Sequence, residues 1–356
     1  MVNNPKQPTK PYGVKIVGVG SSVPPTVLNN DDMAKMVETT DEWIQTRTGI
    51  RTRHVLSGDE MLTDLGVEAS KQALAMAGVD GVEIDLIIVA TTTPDERYPA
   101  MASRIQTAIG ASKSFGFDLA LACTGFVAAL ITAEQFLRSG SAKKALVIGA
   151  DAHSRVMNWS DRNTCVLFGD AAGAVVIEAS ETFDGFLAND GNLDGSKADE
   201  LHADYDLVNC PILPQPTPRN PYVQMNGREV FKFAVGVVPS SIRQTLENAG
   251  ETLEDIDALV LHQANIRIMD AMNERLGIPR EKMVINLDKY GNTSAASVPL
   301  ALDEAVRNGQ IQNGNRVMTC GFGGGLAWAS SYFIWSGPSF EKIAHTQPPQ
   351  EGGRAS

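Results

Sequence analysis

The chain carries an internal repeat. Residues 71–78 read KQALAMAG, and residues 243–250 read RQTLENAG, 172 positions on (243 − 71). The same offset takes Asp85 to Asp257, the apolar run LIIVA at 86–90 to ALVLH at 258–262, and KALVIG at 144–149 to RVMTCG at 316–321. Between these lies a second matched pair. Residues 123–140, CTGFVAALITAEQFLRSG, align without gaps to residues 292–309, NTSAASVPLALDEAVRNG, at an offset of 169 (292 − 123). Each of these segments opens on a polar residue and Thr, shows apolar residues at helical spacing, and closes on a Gly suited to a helix C-cap. Pro299 falls early enough in the second to be tolerated. Each half therefore reads as helix, apolar strand, buried helix, apolar strand. Short continuous apolar runs between helices are strands buried on both faces, which predicts an α/β layered architecture. Two equivalent halves imply a pseudo-two-fold axis. A site at their junction draws equivalent positions from both, and Cys123 and Asn292 are such a pair.

A chain of 356 residues has room for two such halves. We assign residues 13–180 to the first, 181–226 to a connecting and insertion segment with a Pro-rich stretch, 227–336 to the second, and 337–356 to a tail expected to fray. The composition is 43% hydrophobic and 20% charged, which argues against disorder. A net charge of −12 disfavours nucleic acid and anionic membrane surfaces as partners. No apolar run reaches the roughly 18 residues of a membrane span. The polar, Pro-containing start lacks a signal-peptide core, so the expected setting is cytoplasmic. Cys123, Cys165, Cys210 and Cys320 are too scattered for a disulfide framework or a zinc site, so no metal or other cofactor is expected.

Cys123 ends the apolar segment DLALAC and stands where a helix begins. A thiol there feels the positive end of the helix dipole, which is expected to lower its pKa and favour the nucleophilic thiolate. The plain alternative is a buried, inert thiol. His262 closes the run LVLHQAN, where a strand meets a loop. It is either a catalytic group or a core histidine bonded to backbone. Asn292, in KYGNTSAAS, is either a hydrogen-bond donor to substrate or an ordinary N-cap. GFGGG at 321–325 follows an apolar strand, as a tight turn or as a backbone that approaches a ligand closely. The early GVGSSVPP lacks a third glycine, and its prolines block the expected helix, so it is not a dinucleotide loop.

Together these residues resemble the thiolase superfamily, and most closely the β-ketoacyl-acyl-carrier-protein synthase III family. The motifs TDEWIQTRTGIRTRH, ACTGF, FGDAAGA, LHQAN, YGNTSAAS and GFGGG occur in the family's order, over nearly the whole chain. The resemblance implies a thiolase-like fold of two pseudo-symmetric α/β halves in αβαβα layers. It implies a condensing acyltransferase that initiates fatty-acid synthesis from an acyl-CoA and a malonyl-acyl-carrier protein. A specialised acyltransferase or condensing enzyme with another acceptor is the alternative. The implied triad is Cys123 as nucleophile with His262 and Asn292 as donors to the malonyl carbonyl. The backbone N–H groups of Cys123 and Gly324 would form the oxyanion hole, and Phe322 would shield the thiol. Trp43, Arg47, Arg162 and Asn265 match coenzyme A positions. Lys232, Arg267 and Arg275 match a docking face for the acidic carrier protein. Tyr98 matches the residue that ends the acyl tunnel across a homodimer interface.

Overall fold

The computed structural model describes residues 11–341. Most of the tail assigned to 337–356 lies outside them. Strands β1 (Gly13–Ser22), β2 (Leu86–Ala90), β3 (Phe115–Leu119), β4 (Lys144–Ala152) and β5 (Asp170–Ser180) form one mixed sheet, in the order β1-β5-β4-β2-β3. Strands β6 (Phe186–Leu193), β7 (Ala258–Leu261), β8 (Arg316–Gly323) and β9 (Ala327–Ile334) form a second, in the order β7-β8-β9-β6. The principal helices are α1 (Asp41–Thr48), α2 (Leu62–Ala77), α3 (Met101–Ala108), α4 (Gly125–Arg138), α5 (Gly227–Ala249), α6 (Ile266–Leu276) and α7 (Ser297–Arg307).

The repeat persists down to single hydrogen bonds. Leu86 pairs in parallel with Ala145, and Ala258 with Val317, each 172 residues on (258 − 86; 317 − 145). Asp85 accepts from Lys144 N at 3.1 Å and donates its own N–H to Lys144 O at 3.0 Å. Asp257 does the same with Arg316, at 2.8 and 2.9 Å. In each copy the carboxylate holds the first residue of the neighbouring strand where the parallel pair begins.

Strand alternation then sorts the side chains into layers. In β2, Leu86, Ile88 and Ala90 face the central layer with α4 and α7, while Ile87 and Val89 face α2 and α3. In β7, Ala258 and Val260 face the same central layer, while Leu259 and Leu261 face α5 and α6. The result is helices, sheet, two buried helices, sheet, helices. This is the layering the resemblance implied. Gly18, in the motif that resembled a dinucleotide loop, serves strand–helix packing instead: a Cβ there would lie 2.3 Å from the Ala73 carbonyl oxygen of α2.

The segment 181–226 is not all connection. Its residues Phe186–Leu193 are the outer strand of the second sheet, paired with β9. Beyond it, a two-residue ribbon (Leu201–His202 against Gln224–Met225) carries an irregular, exposed loop. At the other end, Phe340 O accepts from Gln312 and Ser339 Oγ from Asn313 N, so residues to 341 lie against the turn before β8.

Helix α5 runs through Pro239. Proline has no N–H for the carbonyl four residues earlier, Val235. The guanidinium of Arg275 on α6 donates to that carbonyl at 2.9 Å. Arg275 thus does packing work between two helices. Arg275→Ala is expected to cost about 1 kcal/mol in urea unfolding, because the carbonyl loses a charged donor. An unchanged midpoint would contradict this role.

Candidate active site

The two central helices point their N-terminal ends at one place. Cys123 sits in a 3-10 turn (Ala122–Thr124) at the head of α4, and Asn292 just before a matching turn (Ser294–Ala296) at the head of α7. His262 follows the last residue of β7, and its N–H is held by Cys320 O at 2.8 Å. Cys123, His262, Asn292, Phe322 and Gly324 all line a cavity of about 1000 Å³. Cys123, His262 and Asn292 are each at least nine-tenths buried.

Local strain marks the spot. Among non-glycine residues described, only Ala122 (φ 42°) and Ser294 (φ 51°) take positive φ. Ala122 immediately precedes the nucleophile, and the Ser294 hydroxyl lies 3.4 Å from Cys123 Sγ. Such backbone costs of order 1–3 kcal/mol per residue and persists where packing over-determines it. The glycine turn explains part of that packing. A Cβ at Gly323 would lie 2.8 Å from Cys123 Cβ and 3.1 Å from its sulfur.

Hydrogen bonds fix which atoms face the cavity. Asn292 Oδ1 accepts from Ser294 N at 2.9 Å, which leaves the amide NH2 as its free end. Asn292 N donates to Leu167 O, and its carbonyl accepts from Gly169 N, so the FGDAAGA motif of the first half pins the asparagine of the second. Ser297 Oγ accepts from Gln263 N at 3.4 Å and lies 2.6 Å from His262 Nδ1. Nδ1 is thus engaged within the protein, and Nε2 is the ring nitrogen left for a substrate. Phe322 meets the His262 ring edge-on, with centroids 5.1 Å apart.

Electrostatics correct one expectation. Burial pushes the Cys123 thiol up to about 12. The Ser294 hydroxyl works the other way, and the Asp151 carboxylate adds to the rise. The helix dipole is worth at most about 2 kcal/mol, too little to reverse this. Cys123 therefore rests as a thiol. Burial, with His153 nearby, lowers His262 to about 3, so the imidazole is neutral at any ordinary pH.

The other expected residues divide. Arg47, Asn265, Lys232 and Arg267 line the cavity. The Arg47 and Arg162 guanidiniums lie 4.5 and 4.8 Å from the Trp43 ring centre, and Arg162 also donates to Glu38 O. Asn265 Oδ1 caps α6 through Arg267 N. Lys232 is paired with Glu229. Arg275, bound to Val235 O, does not line the cavity, and neither does Tyr98, which is 86% exposed. Among the lining residues that escaped sequence reading are Thr92, Phe168 and His153. Of these, only Phe168 lay in a quoted motif. Among the described residues no group of three or more His, Cys, Asp or Glu is placed to hold a metal ion, and no helix is long and apolar enough to cross a membrane.

Alkylation of Cys123 by iodoacetamide, read on its own peptide in the unliganded protein, should rise about tenfold per pH unit from pH 6 to 9. A rate that levels off near neutrality would show a thiolate and contradict the buried-thiol assignment.

Models of the 3-oxoacyl-[acyl-carrier-protein (ACP)] synthase III family match residues 117–195 and, for its C-terminal part, residues 246–335. The chain is 48% identical over 326 residues to the β-ketoacyl-[acyl-carrier-protein] synthase III of Synechocystis sp., covering 91% of this chain and 98% of that protein. Among solved structures, the 3-oxoacyl-[acyl-carrier-protein] synthase III of Aquifex aeolicus superposes with TM-score 0.84 at 44% identity, covering 91% of this chain and 100% of that one. The priming β-ketosynthase of the R1128 polyketide pathway gives TM-score 0.87 at 36% identity, covering 94% and 100%. The chain belongs to the β-ketoacyl-[acyl-carrier-protein] synthase III family, thiolase-fold condensing acyltransferases of fatty-acid biosynthesis.

Proposed function

We propose that this chain joins an acyl group, taken from an acyl-CoA onto Cys123, to a malonyl-acyl-carrier protein with loss of CO2. The observation that carries this reading is the convergence of Cys123, His262 and Asn292 on one cavity, with His262 Nδ1 and Asn292 Oδ1 already bonded, which leaves Nε2 and the amide NH2 for a substrate.

In the first step Cys123 Sγ attacks the thioester carbonyl, and the thiol proton leaves with the coenzyme A sulfur. In the second, the carbonyl oxygen of the malonyl thioester accepts from His262 Nε2–H and the Asn292 amide. The bond to the carboxylate breaks, CO2 departs, and the electron pair becomes an enolate. Neutral donors suit this step, because they stabilise the enolate without first forming an ion pair with the malonyl carboxylate. The enolate carbon then attacks the acyl-Cys123 carbonyl. Backbone N–H groups of Cys123 and Gly324 hold the oxyanion. Collapse returns the Cys123 thiolate, which takes a proton from water. Phe322, 1% exposed beside His262, keeps water from the adduct. No cofactor enters any step.

Several surfaces support the substrates assigned. Arg47 and Arg162 against Trp43 form a cationic and aromatic platform for the coenzyme A nucleotide. Arg228, Lys232 and Arg267 ring the mouth and suit an acidic carrier protein. Arg275, exposed on α6, stays in that set, and Arg228 joins it. We also propose a homodimer through β3. This strand ends its sheet with one neighbour, and Phe115 is 65% exposed on it. An edge with exposed apolar side chains calls for a cover. Tyr98 would then reach the partner's acyl tunnel. Four free cysteines suit a reducing, cytoplasmic setting.

Asn292→Ala should slow CO2 release from malonyl-carrier protein by roughly 10²–10³, the cost of one oxyanion donor. Its rate of acyl-Cys123 formation should stay within about threefold of the parent. Equal loss in both half-reactions would refute the division of labour.

A further inference from the structure

His153 stands in the wall of the active-site cavity without a chemical task in the condensation described above. It begins the turn His153–Val156 after β4 and is 7% exposed. Its ring stacks on Phe168, with centroids 5.0 Å apart and 13° between planes. Both rings line the cavity, as do Cys123, Thr92, Val156 and Leu201. Among the described residues no hydrogen bond reaches either ring nitrogen, and Nδ1 is a buried polar atom left without a partner.

That is an expensive way to build an apolar wall. The enclosed Nδ1 is out of reach of the cavity, so a molecule there meets Nε2, which no group among the described residues bonds. The stacking on Phe168 holds the ring in one plane, so the nitrogens cannot swing away to solvent. Val156, Phe168 and Leu201 supply apolar contact around it, which leaves His153 as a polar point in a largely hydrophobic pocket. Cys123 and this ring line one chamber. A group attached to Cys123 is therefore within the same enclosure as an unsatisfied imidazole.

Given the acyl-Cys123 reading, on which this rests, we propose that His153 binds an oxygen on the starter acyl group, so that the chain prefers hydroxy- or oxo-acyl starters to alkyl starters of the same length. A hydroxyl can donate to or accept from imidazole, and a ketone can accept from its N–H. An alkyl starter leaves the nitrogen unpaired, which is the situation in which a polar site discriminates.

The test compares 3-hydroxybutyryl-CoA and butyryl-CoA as donors to the full-length protein, with the rate of acyl-Cys123 formation read by intact mass. The parent protein should favour the hydroxyacyl donor by roughly five- to tenfold, the value of one hydrogen bond. His153→Leu should reverse the preference, and His153→Gln, which keeps a hydrogen-bonding group, should retain it. If His153→Leu fails to fold, the parent and His153→Gln ratios still decide. A parent ratio near one, or a ratio that His153→Leu leaves unchanged, overturns the inference. No adduct from either donor overturns the acyl-Cys123 reading, and this inference with it.

Discussion

The site depends on removing a thiol and an imidazole from water. Burial, with a smaller push from the Asp151 carboxylate, lifts Cys123 from its ordinary value near 9 to about 12, which corresponds to about 4 kcal/mol against the thiolate. The same burial drops His262 to about 3. The pair rests as thiol and neutral imidazole, and not as an ion pair. This suits the chemistry proposed, in which His262 is asked for a hydrogen bond and not for a charge. It also means that the nucleophile gains its full strength only once a thioester is seated and the departing sulfur can take the proton.

Such burial needs two halves that cannot drift apart, and the junction is fastened by polar contacts. The Asp151 carboxylate, fully buried at the end of β4, accepts from Thr92 N at 2.8 Å in its own half and from Ala295 N at 3.2 Å in the other. Thr124 Oγ1, beside the nucleophile, donates to Ala327 O at 3.1 Å across the same seam. Asn292 is fastened to Leu167 and Gly169. Cys123 and Asn292 are thus each fastened in part by the half that did not supply them, while His262 is held within its own half by Cys320 O and Ser297 Oγ. A half cut away from its partner would lose the geometry of its own site residue.

Much of this was legible in the residues. The repeat at a fixed offset predicted both sheets, and the shared Asp85 and Asp257 marked where each parallel pair begins. Cys123 and Asn292 as equivalent positions located the junction. What escaped had physical reasons. Phe186–Leu193 reads FLANDGNL, with too few apolar residues to stand out, because an outer strand paired on one side can be polar. The bond from Arg275 to the carbonyl freed by Pro239 is visible only once α5 and α6 pack. The dipole argument for a low Cys123 pKa omitted desolvation, which depends on a closed cavity and not on local sequence. His153 gave no signal because it stands outside every quoted motif, and only the fold carries the turn after β4 into the cavity wall.

The account stands on Cys123 as the acyl acceptor. Its most direct test is the intact mass of the protein after incubation with acetyl-CoA and a panel of longer and branched acyl-CoAs, beside Cys123→Ala. The account predicts a single acyl addition, absent from Cys123→Ala and discharged as a β-ketoacyl product when malonyl-carrier protein is added. An addition that survives in Cys123→Ala, or an adduct that malonyl-carrier protein does not discharge, would contradict it.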